Sequence, residues 1–271
     1  MDLPDLSLFQ YSIVYNAMSF TIATFLAAAI FFFIAPGVNR KYRPAMVVSG
    51  LVVAIAGYHY YRIAGSFEAS YAYAAAQGIY SFTGKPFNDF YRYADWLLTV
   101  PLLMIELVAV MALPAAQSRR LLVKLVPATL LMIVLGFPGE VSNDIGTRWL
   151  WWVLSMLPFL YILYVLFAQL SDAMARQAPR ARALLNLCRI TVLVTWSFYP
   201  VAYALTTVFG SRTAEGQVAL QLGYTISDVL AKAGFGLLIY YTAVVKSELD
   251  NAGTPANTSS STTPEALPVT A

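Results

Sequence analysis

The chain contains few of the residues on which metal sites, disulfide frameworks and ordinary enzymes depend. Its 271 residues include one cysteine, Cys188, and one histidine, His59. A single cysteine excludes an intramolecular disulfide, and the two residues together provide too few ligands for a zinc site. No set of nucleophile, base and orienting residue is apparent either. We therefore expect neither an enzyme nor a metal protein.

Charged residues are also scarce. Asp, Glu, Lys and Arg make up 11% of the chain, whereas about a quarter is typical of soluble domains. The net charge of +3, without any basic run, does not indicate nucleic-acid binding. Hydrophobic residues make up 59% of the sequence, and this composition is typical of membrane proteins.

The N-terminal segment "MDLPDLSLFQYS" has two acids and no Lys or Arg, unlike a secretory signal, so we expect the first apolar segment to remain as a span. Most of the apolar segments are long enough to cross about 30 Å of hydrocarbon. They lie at roughly residues 8–36, 44–66, 88–113, 119–138, 147–170, 183–209 and 217–246. Because lipid offers the backbone no hydrogen-bond partners, residues 1–250 are predicted to form an all-α bundle of seven transmembrane helices. Residues 251–271, rich in Ser, Thr, Pro and Ala, are predicted to form a disordered tail.

Lys and Arg are concentrated at one set of helix ends. This set comprises Arg40, Lys41, Arg43, Arg119, Arg120, Lys124, Arg176, Arg180, Arg182, Arg189 and Lys246. The opposite ends contain Lys85, Arg148 and Arg212. Because basic loops stay in the cytoplasm, we expect the N-terminus outside and the C-terminus in the cytoplasm.

Several ionisable side chains nevertheless lie within the predicted spans. They are His59, Arg62, Arg92, Asp95, Glu106, Asp228 and Lys232. A charge at mid-span costs about 2.5–3.5 kcal/mol, so a group of this size indicates a function.

The third predicted span places acids on one helical stripe. Asp95 and Thr99 are four residues apart and Glu106 follows seven residues later, so the two carboxyl groups are separated by about 16 Å along the axis. A structural ion pair between Arg92 and Asp95 would explain one of these acids. A ladder of carboxyl groups is more typical of a proton relay.

Asp228 and Lys232 form an i, i+4 pair on one face of the seventh span. The simpler interpretation is again a structural ion pair. A lysine amine in an apolar pocket is also the group that condenses with an aldehyde, and the resulting cation would give a carboxylate relay its direction.

Three segments resemble those of the microbial rhodopsins. "DVLAKAGFG" is similar to the retinal-lysine segment, "RYADWLLTVPLL" to the counterion helix and "TWSFYPVAY" to the sixth helix, in the same order over nearly the whole chain. The resemblance implies all-trans-retinal bound to Lys232 as a protonated Schiff base. It also implies that Asp95 is the proton acceptor and counterion, Asp228 the second counterion and Arg92 the gating cation beneath them.

The triplet Asp95, Thr99 and Glu106 resembles that of light-driven outward proton pumps of the proteorhodopsin and xanthorhodopsin type. This resemblance implies that Glu106 is the cytoplasmic proton donor and that Thr99 orients the Asp95 carboxylate. It further implies a multi-pass protein of a bacterial inner membrane, with lipid and protons as its partners and no obligatory protein partner.

"AGYHYYRIAG" is a second proteorhodopsin-like motif. By resemblance, His59 pairs with Asp95, within one protomer or across the interface of a homo-oligomer, and Tyr60 donates a hydrogen bond to Asp228. A histidine that serves packing alone is the alternative. Arg62 is expected to extend to the outer interface rather than join the relay.

The resemblance also implies a retinal pocket. Its residues are Trp96, Leu103, Met132, Gly136, Trp152, Ser155, Phe159, Trp196, Tyr199, Pro200 and Tyr203. Leucine at position 103 implies absorption of green light. Trp152 occupies the position where xanthorhodopsin-type antenna binding needs a glycine, so we expect no carotenoid. The glutamates that release the proton early in bacteriorhodopsin are replaced by Leu220 and a position near Gly210, so early release is not expected.

Two other functions fit parts of the sequence. A retinal photosensor would share the chromophore and signal to a partner, but Glu106 and a short, structureless tail favour the pump. A receptor or carrier without retinal would use Asp228 and Lys232 as a structural pair, and it would stay colourless when retinal is added.

Overall fold

The computed structural model describes residues 3–209 and 213–253. Seven spans are long and apolar enough to cross a membrane. The first four are α1 (Leu8–Ile34), α2 (Arg43–Ser70), α3 (Tyr91–Met111) and α4 (Ala115–Glu140). The fifth comprises α5 (Ile145–Tyr164), a π turn (Val165–Gln169) and α6 (Ser171–Ala175), and the sixth is α7 (Pro179–Phe209). The seventh comprises α8 (Ala214–Val229), a π turn (Leu230–Gly234) and α9 (Phe235–Gly253).

The helix starts follow from local side-chain chemistry. Ser7 caps α1 through a capping box with Gln10, and the Asp144 carboxylate accepts a hydrogen bond from the Thr147 amide at 2.6 Å before α5. Such residues satisfy amide groups that have no partner within the helix. Hydrogen bonding to Thr147 also lowers the pKa of Asp144.

A small antiparallel sheet covers the bundle on the side of the N-terminus, a feature that the sequence did not predict. It has the strand order β1 (Leu6–Ser7), β3 (Ile79–Phe82), β2 (Tyr71–Ala74). Leu6 pairs with Tyr80, and Tyr73 pairs with Tyr80 on the other side. The loop after α2 thereby holds the segment before α1 against the bundle.

The helix α3 is the centre of the bundle. It is the most buried of the seven spans, since 67% of its most apolar 18-residue stretch is buried. The outer helices expose large apolar side chains. The acids of its stripe therefore face protein rather than lipid, which is the arrangement that intramembrane charges require. The last helix continues to Gly253, three residues into the segment expected to be a tail, and residues 254–271 lie outside the described part of the chain.

Candidate functional site

The site is built around Lys232, which lies in the π turn of the seventh span. Its ammonium nitrogen is 3.0 Å from Asp95 Oδ2 and also contacts Asp228 Oδ1. Lys232 and Asp95 are each 2% exposed and Asp228 is fully buried. Single π turns occur frequently at functional sites, because the extra residue changes where a side chain points. No signal in the sequence indicated this turn.

Asp228 is held by hydrogen bonds to both of its oxygens. The Tyr60 hydroxyl donates to Oδ2 at 2.7 Å, and the Tyr199 hydroxyl donates to Oδ1 at 2.8 Å. The Trp96 indole nitrogen donates to Oδ1 at 3.4 Å. Donors of this kind stabilise the carboxylate form, so the group is arranged as a fixed anion.

Asp95 has a different environment from Asp228. Its Oδ2 faces Lys232, whereas its Oδ1 is buried without a hydrogen-bond partner among the described residues. His59 Nδ1 lies 4.0 Å from Oδ1 in the same protomer, but it is hydrogen-bonded to the Ile55 carbonyl oxygen at 3.0 Å. Asp95 therefore keeps a free acceptor oxygen beside a cation.

Thr99 does not orient the Asp95 carboxylate as the sequence had predicted. Its hydroxyl donates to the backbone carbonyl oxygen of Asp95 at 2.9 Å. A buried threonine in a helix finds its nearest acceptor in the carbonyl four residues earlier, and this bond uses its single proton. The contact stabilises the helix at the position of Asp95.

Arg92 lies on the N-terminal side of the two acids but pairs with other residues. Its guanidinium donates to Gln221 Oε1 at 2.7 Å and to Asp89 Oδ2 at 3.3 Å, and it lies 4.5 Å from the centre of the Tyr224 ring. The structural ion pair with Asp95 considered from the sequence is therefore absent from the described residues. Arg62 is exposed and donates to the Tyr91 hydroxyl at 2.7 Å, as expected for an interfacial residue.

Glu106 lies on the other side of Lys232, near the buried side chains of Ser49 and Cys188. It is fully buried, and neither carboxyl oxygen has a hydrogen-bond partner among the described residues. Its neighbours Leu103 and Leu107 are also buried. An ionised carboxylate is costly in such surroundings, so they favour a protonated acid.

A mostly apolar cavity begins at Lys232. All the pocket residues named from the sequence line it: Trp96, Leu103, Met132, Gly136, Trp152, Ser155, Phe159, Trp196, Tyr199, Pro200 and Tyr203. The Trp152 indole donates to the Pro200 carbonyl oxygen at 3.0 Å and so has a fixed position in the wall. An apolar cavity with a reactive amine at one end fits a long unsaturated aldehyde.

Sequence reasoning missed other residues around this cavity. Tyr93, Tyr224 and Glu140 also line it, and Gln221 holds Arg92. A carboxyl group near the end of the fourth span was a possible signal for Glu140, but the predicted span ended at residue 138, whereas the helix extends to Glu140. The aromatic residues could not be distinguished from ordinary core residues.

Fold and site together define a seven-helix membrane protein with a buried lysine between two carboxylates. Residues 14–246 match the family model described as bacteriorhodopsin-like protein. The green-light absorbing proteorhodopsin of a gamma-proteobacterium is 32% identical over 239 residues, which cover 86% of this chain and 88% of the relative. The bacteriorhodopsin of Halobacterium salinarum is 33% identical over 180 residues, covering 63% and 65%.

Solved structures agree with these relatives. Xanthorhodopsin, described as a light-driven ion pump with dual chromophore, is 54% identical with a TM-score of 0.88, covering 92% of this chain and 99% of its own. A thermophilic rhodopsin is 48% identical with the same TM-score and coverage. The chain therefore belongs to the bacteriorhodopsin-like family and is a microbial rhodopsin, a multi-pass protein of the plasma membrane. Membership of this family implies retinal as the cofactor.

Proposed function

We propose that this rhodopsin is a light-driven outward proton pump, a transporter rather than an enzyme. The observation that carries the proposal is the contrast between two carboxyl groups of α3. Asp95 lies beside the Lys232 nitrogen with a free oxygen, whereas Glu106 is buried without a partner on the other side. One acid is arranged to receive a proton and the other to hold one. When bound, retinal supplies light absorption and the proton of its Schiff-base link to Lys232.

Asp95 acts as the proton acceptor and primary counterion. Its Oδ2 is within 3.0 Å of the Lys232 nitrogen, a distance over which a proton transfers directly. The unpartnered Oδ1 leaves this carboxylate less stabilised than its neighbour. A proton leaving Lys232 should therefore go to Asp95.

Asp228 acts as the second counterion and remains ionised. The Tyr60 and Tyr199 hydroxyls donate hydrogen bonds to the Asp228 carboxylate. These bonds would be weaker if Asp228 took up the proton and lost its negative charge. The two acids thus have different roles, because Asp228 keeps its negative charge while Asp95 gains and loses a proton.

Glu106 returns a proton to Lys232 from the cytoplasmic side. Its burial favours the protonated form at rest, and the loss of the proton becomes favourable when Lys232 is neutral and its nitrogen turns towards Glu106. Uptake from the cytoplasm then restores the acid. The direction of transport follows from the N-terminus being outside, as the distribution of basic residues indicates.

The surrounding residues support this cycle. His59, 4.0 Å from Asp95 within the protomer, adjusts the charge around the acceptor, and Thr99 fixes the helix at its position. Arg92 is the cation that separates the acceptor from the outer surface. We propose a homo-oligomer in the lipid bilayer, without an obligatory protein partner.

The cavity residues would hold all-trans-retinal between aromatic side chains. Leu103 is fully enclosed, and its apolar side chain supports absorption of green light. The fixed indole of Trp152 fills the space that a carotenoid ring would need, so retinal is proposed as the sole chromophore.

The test is the light-induced pH change of a weakly buffered suspension of cells that express the full chain with retinal. We expect acidification that a protonophore abolishes. Cells expressing the Lys232→Ala variant serve as the matched control and should show no change. A coloured protein that moves no protons would indicate a photosensor instead, and colourless cells would contradict retinal binding.

A further inference from the structure

A second groove lies on the outside of the bundle, on the side of the N-terminus. It is bounded by α1, the last turns of α2 and the start of α3, and its described lining residues differ from those of the retinal cavity. Tyr15, Tyr61 and Tyr91 bring phenol groups to its wall. Tyrosine is typical of the level at which a membrane meets water. The groove therefore lies where lipid headgroups are found.

The groove is open at Gly65, an exposed residue of α2. A Cβ atom added there would meet no heavy atom within 4 Å, so no neighbouring element packs against this glycine. Glycine also weakens a helix compared with most other residues. What Gly65 provides is space between Tyr61 and Glu68, which line the groove on either side of it in the sequence.

Two opposite charges lie in this space without pairing with each other. The Arg62 guanidinium donates to the Tyr58 hydroxyl at 3.0 Å and to the Tyr91 hydroxyl at 2.7 Å, and it lies 4.8 Å from the centre of the Tyr91 ring. These two bonds hold the guanidinium in place and use two of its five N–H groups. The Glu68 carboxylate has no hydrogen bond or ion pair in the described part of the chain.

The two charges have a fixed order along α2. Glu68 follows Arg62 by six residues, which places it about 9 Å nearer the end of the helix and the water. The cation is thus the deeper charge and the anion the outer one. A zwitterionic phospholipid has the complementary order, because its phosphate lies next to the acyl chains and its amine extends towards water.

We propose that this groove binds the headgroup of one phosphatidylethanolamine molecule in the leaflet on the side of the N-terminus. The phosphate accepts hydrogen bonds from Arg62, and the ammonium group donates to Glu68. Phosphatidylglycerol has no cation to place beside Glu68, and the methylated amine of phosphatidylcholine has no N–H to donate. The site is distinct from the proton route and does not depend on pumping.

The acyl chains have a surface to follow below the headgroup. Tyr15, Ser19 and Ile22 line the groove from α1, and the same helical stripe continues to Leu26 and then Ile30. Leu26 is 53% exposed and Ile30 is 64% exposed, so this part of the stripe faces lipid. A lipid held at Arg62 therefore lies against α1 while its headgroup contacts α2.

The first test is native mass spectrometry of the retinal-bound full chain, stripped of lipid in detergent. The protein is titrated with dioleoyl forms of phosphatidylethanolamine, phosphatidylcholine and phosphatidylglycerol. We expect one phosphatidylethanolamine molecule to bind with a Kd at least roughly tenfold lower than that of the others. Gly65→Phe should abolish this preference because the ring fills the groove. Ala27→Phe, at an exposed position of α1 outside the groove, is the matched control.

Two charge variants separate the contacts. Arg62→Gln should weaken the binding of all three lipids by roughly tenfold, because each of them has a phosphate. Glu68→Gln should weaken phosphatidylethanolamine alone and make the three lipids equal. Because a ligand that binds the folded state stabilises it, phosphatidylethanolamine should also raise the Tm of the wild-type pigment and not that of Glu68→Gln.

Equal binding of the three lipids to the wild-type protein would overturn the proposal, as would an unchanged preference in Gly65→Phe. If Gly65→Phe forms no pigment, Glu68→Gln decides, since a preference that survives there contradicts the assignment and its loss supports it. Equally strong binding of soluble glycerophosphoethanolamine would contradict a lipid ligand. A smaller oligomer in Gly65→Phe with unchanged lipid binding would instead assign the groove to a second copy of the chain.

Discussion

The ammonium nitrogen of Lys232 lies 3.0 Å from Asp95 Oδ2, although the two residues come from the seventh and third spans. Both side chains are enclosed, so each charge has lost its water and depends on the other. Removing either one leaves an uncompensated charge in the interior. This dependence makes the pair sensitive to single substitutions.

Replacement of Lys232 by Ala should abolish the visible absorption band, because no other amine lies in the described part of the cavity wall. The measurement is an absorption spectrum after retinal is added to membranes. Lys246→Ala is the matched control, since Lys246 lies in the same span but donates to the Met111 carbonyl oxygen at 2.6 Å. Pigment formation by Lys232→Ala would contradict the assignment.

Asp95→Asn should form pigment that absorbs at longer wavelength and does not pump. The substitution removes one of the two negative charges beside the Lys232 nitrogen, so the positive charge on that nitrogen is stabilised less. Spectra and light-induced pH changes provide the measurement, with exposed Asp172→Asn as control. A variant that pumps at the wild-type rate would exclude Asp95 as the acceptor.

Glu106→Gln should slow the return of the proton to Lys232 by roughly 10²-fold, while the colour remains nearly unchanged. The amide cannot donate the proton, and Glu106 lies outside the group of residues that contacts Lys232. Flash spectroscopy of the late photocycle measures the effect, and Glu248→Gln, an exposed acid of α9, provides the control. An unchanged late photocycle would show that the donor is another group.

Trp152→Gly should open the cavity wall and permit a carotenoid to bind beside retinal. The wild-type indole is fixed by its bond to the Pro200 carbonyl oxygen at 3.0 Å, so the unmodified protein should not respond to added carotenoid. Excitation spectra reveal energy transfer from the carotenoid when it occurs. Transfer in the wild-type protein would refute the exclusion by Trp152.

The orientation can be tested by introducing one cysteine at a time. Gln77→Cys places a thiol in the exposed turn between β2 and β3, whereas Ala116→Cys places one at the opposite end of the bundle. The native Cys188 is fully buried and should not react. A membrane-impermeant thiol reagent should label intact cells at position 77 and not at position 116, and the reverse pattern would invert the topology.

Much of the fold could be predicted because each span is encoded locally. A run of about 20 apolar residues must form a helix in lipid, and the helical period then aligns Asp95, Thr99 and Glu106. The same local argument predicts that Asp228 and Lys232 are neighbours, and the structure brings them into contact. The small sheet was missed because its strand pairing joins segments distant in sequence, with Leu6 opposite Tyr80.

The sequence by itself determined the number of spans, the carboxyl ladder and eleven of the residues that line the cavity, because these follow from apolar length, helical period and resemblance. Tertiary structure decided which ionisable groups contact one another. It turned Lys232 towards both acids through a π turn, directed Arg92 to Asp89 and Gln221, and brought Glu140 to the cavity wall. These choices depend on how helices pack against one another, and the periodicity of a single helix contains no information about its neighbours.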